Sequence, residues 1–128
     1  MSDAYVLVNG DKAEVGFPAG AEVAVRVKTN SRRTQIIRVT SADGSVDQVF
    51  SGSGERGLAG EATITGAVRL SATFEYHRTA GRGAMPSALN SGGPYRVGQY
   101  NLMVVVAENG DDVDYDDAVL EFSWYTPR

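Results

Sequence analysis

The chain has 128 residues, 42% of them hydrophobic, with 16 acidic side chains against 12 basic ones and no cysteine. This length suits one domain with a single core, residues 1–128, and the apolar content argues against wholesale disorder. The lack of cysteine excludes disulfides, thiolate metal sites and a cysteine nucleophile. The charge balance offers no basic stripe of the kind that binds nucleic acid, so we expect no nucleic-acid partner.

The first residues carry no conventional targeting signal. The segment MSDAYVLVNGDK lacks a basic n-region, and its apolar run extends only from Ala4 to Val8. The longest apolar run of the chain, Leu102 to Ala107, is too short to span a bilayer. We therefore expect a protein without membrane insertion that is either cytoplasmic or released by a non-conventional route.

Short segments rich in β-formers follow one another along the chain. In residues 21–29, Val23, Val25 and Val27 alternate with charged residues, which is the period of a half-buried strand. Further strands are predicted at residues 34–40, 46–51, 61–65, 68–76, 100–107 and 118–125. No window of ten residues has a convincing helical period. The pattern predicts an all-β fold, an antiparallel β-sandwich of about nine strands of Greek-key type.

Segments rich in glycine and serine predict the connections. The stretch SGSGERG (51–57) has the spacing G-x-G-x-x-G, but a strand pattern follows it instead of the helix that a nucleotide site requires, so a hairpin turn is predicted. Residues 79–94 predict one long loop. The pair Arg32–Arg33 between two predicted strands is typical of a solvated turn. His77, the only histidine, is expected to end a strand, and the alternating Phe122 and Trp124 are expected in the core.

One segment concentrates the negative charge. ENGDDVDYDDAV, residues 108–119, places six carboxylates within ten positions: Glu108, Asp111, Asp112, Asp114, Asp116 and Asp117. Two such charges about 4 Å apart at a protein surface repel by roughly 4 kcal/mol. A bound cation is therefore expected to neutralise them.

The kind of cation follows from the ligand type. An EF-hand would require a glycine where Asp117 stands, a glutamate where Ser123 stands, and flanking helices. A disordered acidic tail would lack the apolar strands on both sides. A loop between strands that offers many hard oxygen ligands suits Ca²⁺. Six carboxylates balance two adjacent calcium ions better than one.

Two stretches carry a resemblance. ENGDDVDYDDAVLEFSW resembles the calcium loop and last strand of the bacterial fucose/mannose-binding lectin II family, whose pattern is E-D-G-x-D-x-D-Y-N-D before a strand that ends in tryptophan. FPAGAEVAVRVKTNSRRTQ (17–35) resembles the family's L-P-A-N-T segment, its next strand and the asparagine that opens the sugar-specificity loop. The resemblance runs from about Ala13 to the end. Residues 1–9 form an N-terminal extension that adds a strand or an interface segment.

The resemblance implies a calcium-dependent lectin without enzymatic activity that binds fucose or mannose through two Ca²⁺ ions. Carried over residue by residue, it implies one ion held by Glu108, Asp112, Asp114 and Asp117, and the other by Asn30, Asp114, Asp116 and Asp117. The residues implied to contact the sugar are Ser31, Arg32, Arg33, Asn109 and Asp111. Fucose- or mannose-containing glycans would be the partners, and the assembly would be a homodimer or homotetramer.

Three departures from the family pattern bear on this reading. Asn109 stands where the family has an aspartate that accepts a hydrogen bond from the sugar, and Asp116 replaces an asparagine. The family chain ends in a glycine whose carboxylate reaches the partner subunit's calcium site, whereas this chain ends WYTPR, one residue longer. Arg128 is thus a possible ligand of the partner's metal site. The alternative function is a calcium-stabilised structural or adhesive β-sandwich module without monosaccharide affinity.

Overall fold

A computed structural model describes residues 4–42, 44–65, 69–77, 84–86, 88–108 and 118–126. In this part of the chain the regular elements are strands, and every pairing between them is antiparallel. In chain order they are β1 (Tyr5–Asn9), β2 (Lys12–Gly16), β3 (Glu22–Thr40), β4 (Asp47–Thr65), β5 (Arg69–His77), β6 (Ala84–Pro86), β7 (Ala88–Val97), β8 (Tyr100–Glu108) and β9 (Ala118–Tyr125). The predicted all-β antiparallel sandwich is confirmed. Among the described residues there is no helix that could cross a membrane.

Two long strands connect the layers. β3 and β4 each run for 19 residues and pair with one another along most of their length. The first part of β3 also pairs with β9, and its last part pairs with β5. The strand orders in the described part of the chain are therefore β1-β2-β5-β3-β4 in one sheet, where the short β6 also pairs with β5, and β4-β3-β9-β8-β7 in the other. Strands that pass from one sheet to the other form the corners of such sandwiches.

The turn predicted at residues 51–57 is wrong, because β4 continues through it. The backbone of Arg32 and Arg33, a pair that is typical of a solvated turn, likewise belongs to a strand, β3. The register between the two strands shifts between Thr29 and Ser31 and again between Ser31 and Gln35. Such irregularities bend a strand without ending it. The glycines that suggested a turn in fact lie opposite this bend.

The long loop predicted at residues 79–94 is also wrong in its second half, where β7 pairs with β8. The register shifts between Gly92 and Tyr95, so Gly93 and Pro94 are bypassed in the ladder. Proline is tolerated in an edge strand or at a bulge, because its missing N–H removes no necessary hydrogen bond there. β7 pairs only with β8 among the described strands and is the edge of its sheet.

The core lies between the two sheets. The predicted alternation in β3 is confirmed, since Val23, Val25 and Val27 are at most 1% exposed. Phe122 and Trp124 are also buried as predicted. Phe17 lies between β2 and β3. Its ring packs against the rings of Phe122 and Trp124, with centroid separations of 5.5 Å and 5.3 Å, respectively. These aromatic contacts join the segment before β3 to the last strand.

The N-terminal extension adds an edge strand. β1 pairs with β2 in a register that places Tyr5 opposite Gly16, and a side chain at Gly16 would overlap the Tyr5 ring. The turn between the strands uses Gly10, whose φ of 65° favours glycine. β1 also contacts β7 of the other sheet. The extension therefore covers one open side of the sandwich.

Candidate metal and sugar site

The end of β8, the start of β9 and the bend of β3 lie side by side in one sheet. Ala118, the first residue of β9, pairs with Thr29 of β3 on one side and with Ala107 of β8 on the other. Asn30 and Glu108 each follow their paired residue by one position. Adjacent strands lie about 4.8 Å apart, so the Cα atoms of Asn30 and Glu108 are separated by about 10 Å. The fold thus brings together two predicted ligands that are far apart in sequence.

Glu108 is buried on the side of its sheet that faces away from the core. In β8 the buried residues Met103, Val105 and Ala107 point inward, and Glu108 has the opposite parity. Its exposed fraction is nevertheless only 4%. A buried carboxylate requires compensating partners, because removing the charge from water is costly. Glu108 does have a polar or electrostatic partner in the structure.

Asn30 lies on the same outer face. It follows the buried Thr29 and is itself half-buried, and it also has an interaction partner. A carboxylate oxygen and an amide oxygen are hard ligands of the type that Ca²⁺ accepts. The described donors therefore fit a calcium site on the outer face of the sheet, where β3 bends, β9 begins and β8 ends.

The other predicted ligands lie outside the described residues: Asp112, Asp114, Asp116 and Asp117. The same is true of the predicted sugar contacts Asn109 and Asp111 and of Arg128. In the described part of the chain, no three acidic or histidine side chains form a metal cluster. A calcium site would thus need ligands from residues 109–117 beside Asn30 and Glu108.

Residues Ser31, Arg32 and Arg33 follow Asn30 directly in the bend of β3. Only their backbone is described. It belongs to the segment between the two register shifts, with Ser31 opposite Gly54. The predicted specificity residues are therefore placed at the corner between the sheets, next to the end that carries Asn30 and Glu108.

The sequence reasoning missed the buried polar residues that flank this corner. Thr29 and Gln35 are 2% and 1% exposed, and both have polar partners. A usable signal was present, since Thr29 continues the inward alternation of β3 and Gln35 has the same parity as the buried Ile37. Both therefore point inward beneath the bend that presents residues 30–33.

The fold is shared with solved bacterial lectins. A high-affinity mannose-binding lectin from Ralstonia solanacearum is 26% identical, with 89% of this chain and 96% of that chain covered and a TM-score of 0.69. A Chromobacterium violaceum lectin in complex with α-methyl-fucoside is 25% identical, with 94% and 100% covered and a TM-score of 0.73. The C-terminal domain of a Burkholderia cenocepacia lectin shares the fold at 20% identity, with 93% and 98% covered and a TM-score of 0.68.

These similarities place the protein among the β-sandwich lectins, which bind carbohydrates and are not enzymes. Residues 15–126 match the family described as fucose-binding lectin II (PA-IIL), and the chain belongs to this family. The resemblance seen in the sequence is thereby confirmed. No curated protein sequence is similar to the chain at a significant level. The matched region begins near the end of β2, so β1 precedes it.

Proposed function

We propose that this lectin binds fucose- or mannose-containing glycans through two adjacent Ca²⁺ ions. The observation that carries the proposal is that Asn30, in the bend of β3, and the buried Glu108, at the end of β8, lie on either side of the start of β9, the strand that follows the acidic segment. Membership of the fucose-binding lectin II family supports it. Further support comes from two relatives, one a mannose-binding lectin and the other a complex with a fucoside.

The proposed ligand sets divide the acidic loop between two ions. One set is Glu108, Asp112, Asp114 and Asp117, and the other is Asn30, Asp114, Asp116 and Asp117. Carboxylates shared by both sets lower the repulsion between two dications. When bound, calcium supplies coordination positions that vicinal hydroxyls of a sugar can complete.

Residues beside the metal ligands are proposed to contact the sugar directly. Ser31 offers a hydroxyl that can hydrogen-bond the sugar, and in the family a residue of this kind favours fucose over mannose. The amide of Asn109 can accept a hydrogen bond, but a neutral acceptor gives a weaker bond than a carboxylate. We also propose that the lectin forms a homodimer or homotetramer.

Affinity chromatography tests the proposal. The protein should bind mannose–agarose or fucose–agarose in the presence of calcium, and EDTA or free sugar should release it. Glu108→Gln removes one charged ligand and should reduce retention. The matched control is Glu14→Gln, whose side chain is 3.6 Å from Arg69 and remote from the strand ends.

Two results would contradict the proposal. Retention that survives EDTA would mean that calcium plays no part in sugar binding. Calcium binding without retention on either resin would favour the calcium-stabilised structural or adhesive module instead.

A further inference from the structure

Two buried polar residues stand at the two ends of the bend in β3. Thr29 precedes the bend and is the last residue of β3 that pairs with β9. Gln35 ends the bend and is the first residue of β3 that pairs with β5. Residues 30–34 between them carry the chain from one sheet to the other. This bend therefore begins and ends at a buried polar side chain.

Gln35 is the larger of the two and lies between two other strands. It is one of the largest fully buried side chains, and it pairs with Gly52 of β4 on one side and with Tyr76 of β5 on the other. Tyr76 is buried as well. The Cβ atoms of residues directly opposite in an antiparallel pair lie about 4.5–5.5 Å apart, so the Gln35 side chain has the tyrosine as a neighbour. Gly52 adds no side chain to this row.

Packing of the core does not explain an amide at this position. The next two inward residues of β3, Ile37 and Val39, are apolar and fully buried. Burial of a polar group is costly unless hydrogen bonds replace those made with water, and Gln35 does have an interaction partner in the structure. An apolar residue of similar size would fill the same space without this cost. The amide is therefore expected to serve the segment beside it.

The backbone of the bend needs hydrogen-bond partners of this kind. The register between β3 and β4 shifts on both sides of Ser31, so the regular ladder does not extend through residues 32–34. Backbone groups that a ladder leaves out must find other partners where water has no access. The side-chain amide of a glutamine carries two N–H donors, and Gln35 places them at the point where the ladder resumes.

We propose that Gln35 is a positioning residue for sugar binding. Its buried amide donates to backbone carbonyl groups of the bend and thereby fixes residues 30–33, which include the proposed calcium ligand Asn30 and the proposed sugar contacts of β3. The inference rests on the proposed function for what the bend binds. The ordering of the bend by Gln35 does not depend on that function and can be measured without any ligand.

Amide hydrogen exchange, followed by NMR in EDTA, tests the ordering. Gln35→Met keeps the length of the side chain and removes both donors. The amides of residues 30–34 should exchange roughly tenfold faster in this variant, the scale expected for the loss of a buried hydrogen bond. Val39→Ala is the matched control, because it weakens the core from the same face of β3. It should lower the melting temperature and leave exchange in the bend unchanged.

Calorimetry at saturating calcium tests the consequence for sugar binding. Gln35→Met should bind methyl α-fucoside about tenfold more weakly and should change the ratio of fucoside to mannoside affinity, because the bend no longer holds its contacts in one position. Val39→Ala should keep both affinities. Gln35→Leu, which is smaller, should behave as Gln35→Met does, so a poor fit of the methionine is not mistaken for loss of the amide.

The two measurements fail separately. Exchange in the bend that both Gln35 variants leave unchanged, or that Val39→Ala accelerates equally, overturns the inference. An unaltered ratio of fucoside to mannoside affinity overturns it as well. Wild-type protein that binds neither sugar in calcium would instead reject the proposed function, and the exchange rates would still decide whether Gln35 orders the bend.

Discussion

The side-chain amide of Asn101 donates a hydrogen bond to the carbonyl oxygen of Trp124, 3.2 Å away, across the β8–β9 pair. The same nitrogen lies 3.2 Å from the carbonyl oxygen of Gln99 and 3.1 Å from the hydroxyl oxygen of Thr126. The backbone N–H of Thr126 donates to that Gln99 carbonyl at 2.8 Å. One buried amide therefore joins the start of β8 to the end of β9.

Replacement of Asn101 by alanine should destabilise the protein by about 1–3 kcal/mol, because buried carbonyl groups lose their donor. Urea denaturation, followed by the fluorescence of the buried Trp124, measures the change. Asn90→Ala is the control, since Asn90 is exposed and its side-chain oxygen accepts a local hydrogen bond from the neighbouring backbone N–H of Ser91. Equal stability losses in the two variants would show that the hydrogen bonds of the Asn101 amide do not stabilise the β8–β9 pair.

The contact between Tyr5 and Gly16 predicts a coupled pair of substitutions. Gly16→Ala should cost about 1 kcal/mol or more, because the added methyl overlaps the Tyr5 ring and displaces β1. In a Tyr5→Ala background the same change should be neutral or slightly stabilising, since alanine loses less backbone entropy than glycine in a strand. A double-mutant cycle measured by denaturation gives the coupling energy. Additive effects would mean that Tyr5 does not pack over Gly16.

Local sequence pattern was sufficient to predict the inner strands and insufficient for the edges and corners. Val23, Val25 and Val27 alternate because one side of β3 faces the core, and this period is visible in a single segment. The segment Gly92–Gly93–Pro94 lacks any strand signal. It is tolerated in β7 because the register with β8 shifts there, and that compensation depends on a partner strand that local sequence does not reveal.

The candidate site was likewise predictable only in part from the local sequence. The six clustered carboxylates indicated a calcium loop from their charge alone. No local pattern connects Asn30 with Glu108, and only the family resemblance placed them in one site. The structure supplies the physical reason, which is that β9 pairs with both β3 and β8 and begins between them.

The ion pair between Arg38 and Asp47 predicts a dependence of stability on pH. Arg38 Nε and Nη2 donate to the two carboxylate oxygens at 2.9 Å and 2.8 Å. These hydrogen bonds, with the Coulomb attraction of the guanidinium, hold the pKa of Asp47 below its ordinary value. Because the unfolded-state pKa is higher, about 3.9, the pair stabilises the fold above that pH and loses its contribution as the pH falls through the folded-state pKa.

Asp47→Asn should therefore be less stable than the wild type near neutral pH and equally stable in strong acid. The difference should be small and should shrink in high salt, because both side chains are about half exposed. Urea denaturation across the acid range measures it. Glu14→Gln is the control, since its contact with Arg69 is a single longer one of 3.6 Å. A stability difference that persists in strong acid would exclude the ion pair as its cause.

Calcium should raise the melting temperature of the wild-type protein, because it relieves repulsion in the acidic segment. Ligand linkage gives about 2.7 kcal/mol at a calcium concentration 100 times the dissociation constant. Glu108→Gln should reduce the increase in melting temperature that calcium produces. Glu61→Gln should leave that increase unchanged, because the Glu61 side chain is half exposed and its carboxylate lies 3.7 Å from the guanidinium of Arg26. Melts of the three proteins with calcium and with EDTA measure the effect. Identical wild-type melts under both conditions would reject the calcium site.

The last prediction concerns Arg32 and Arg33, whose backbone lies in the bend of β3 directly after Asn30. A guanidinium beside two calcium ions is repelled unless Asp111 or an anionic ligand lies between them, so at least one arginine should point outward, toward the next residue of a bound oligosaccharide.

The double variant Arg32→Ala and Arg33→Ala should keep monosaccharide affinity within several-fold and weaken an oligosaccharide by about 1 kcal/mol or more, because charge-assisted hydrogen bonds are lost. Calorimetry with a methyl glycoside and a glycan array measure the two effects. The control Arg69→Ala and Arg96→Ala removes the same charge from positions outside the bend. Array profiles that the first pair leaves unchanged would mean that the arginines are solvated and do not contact the glycan. Profiles that both pairs alter alike would limit the arginines to a general electrostatic effect, since only a direct contact depends on their position.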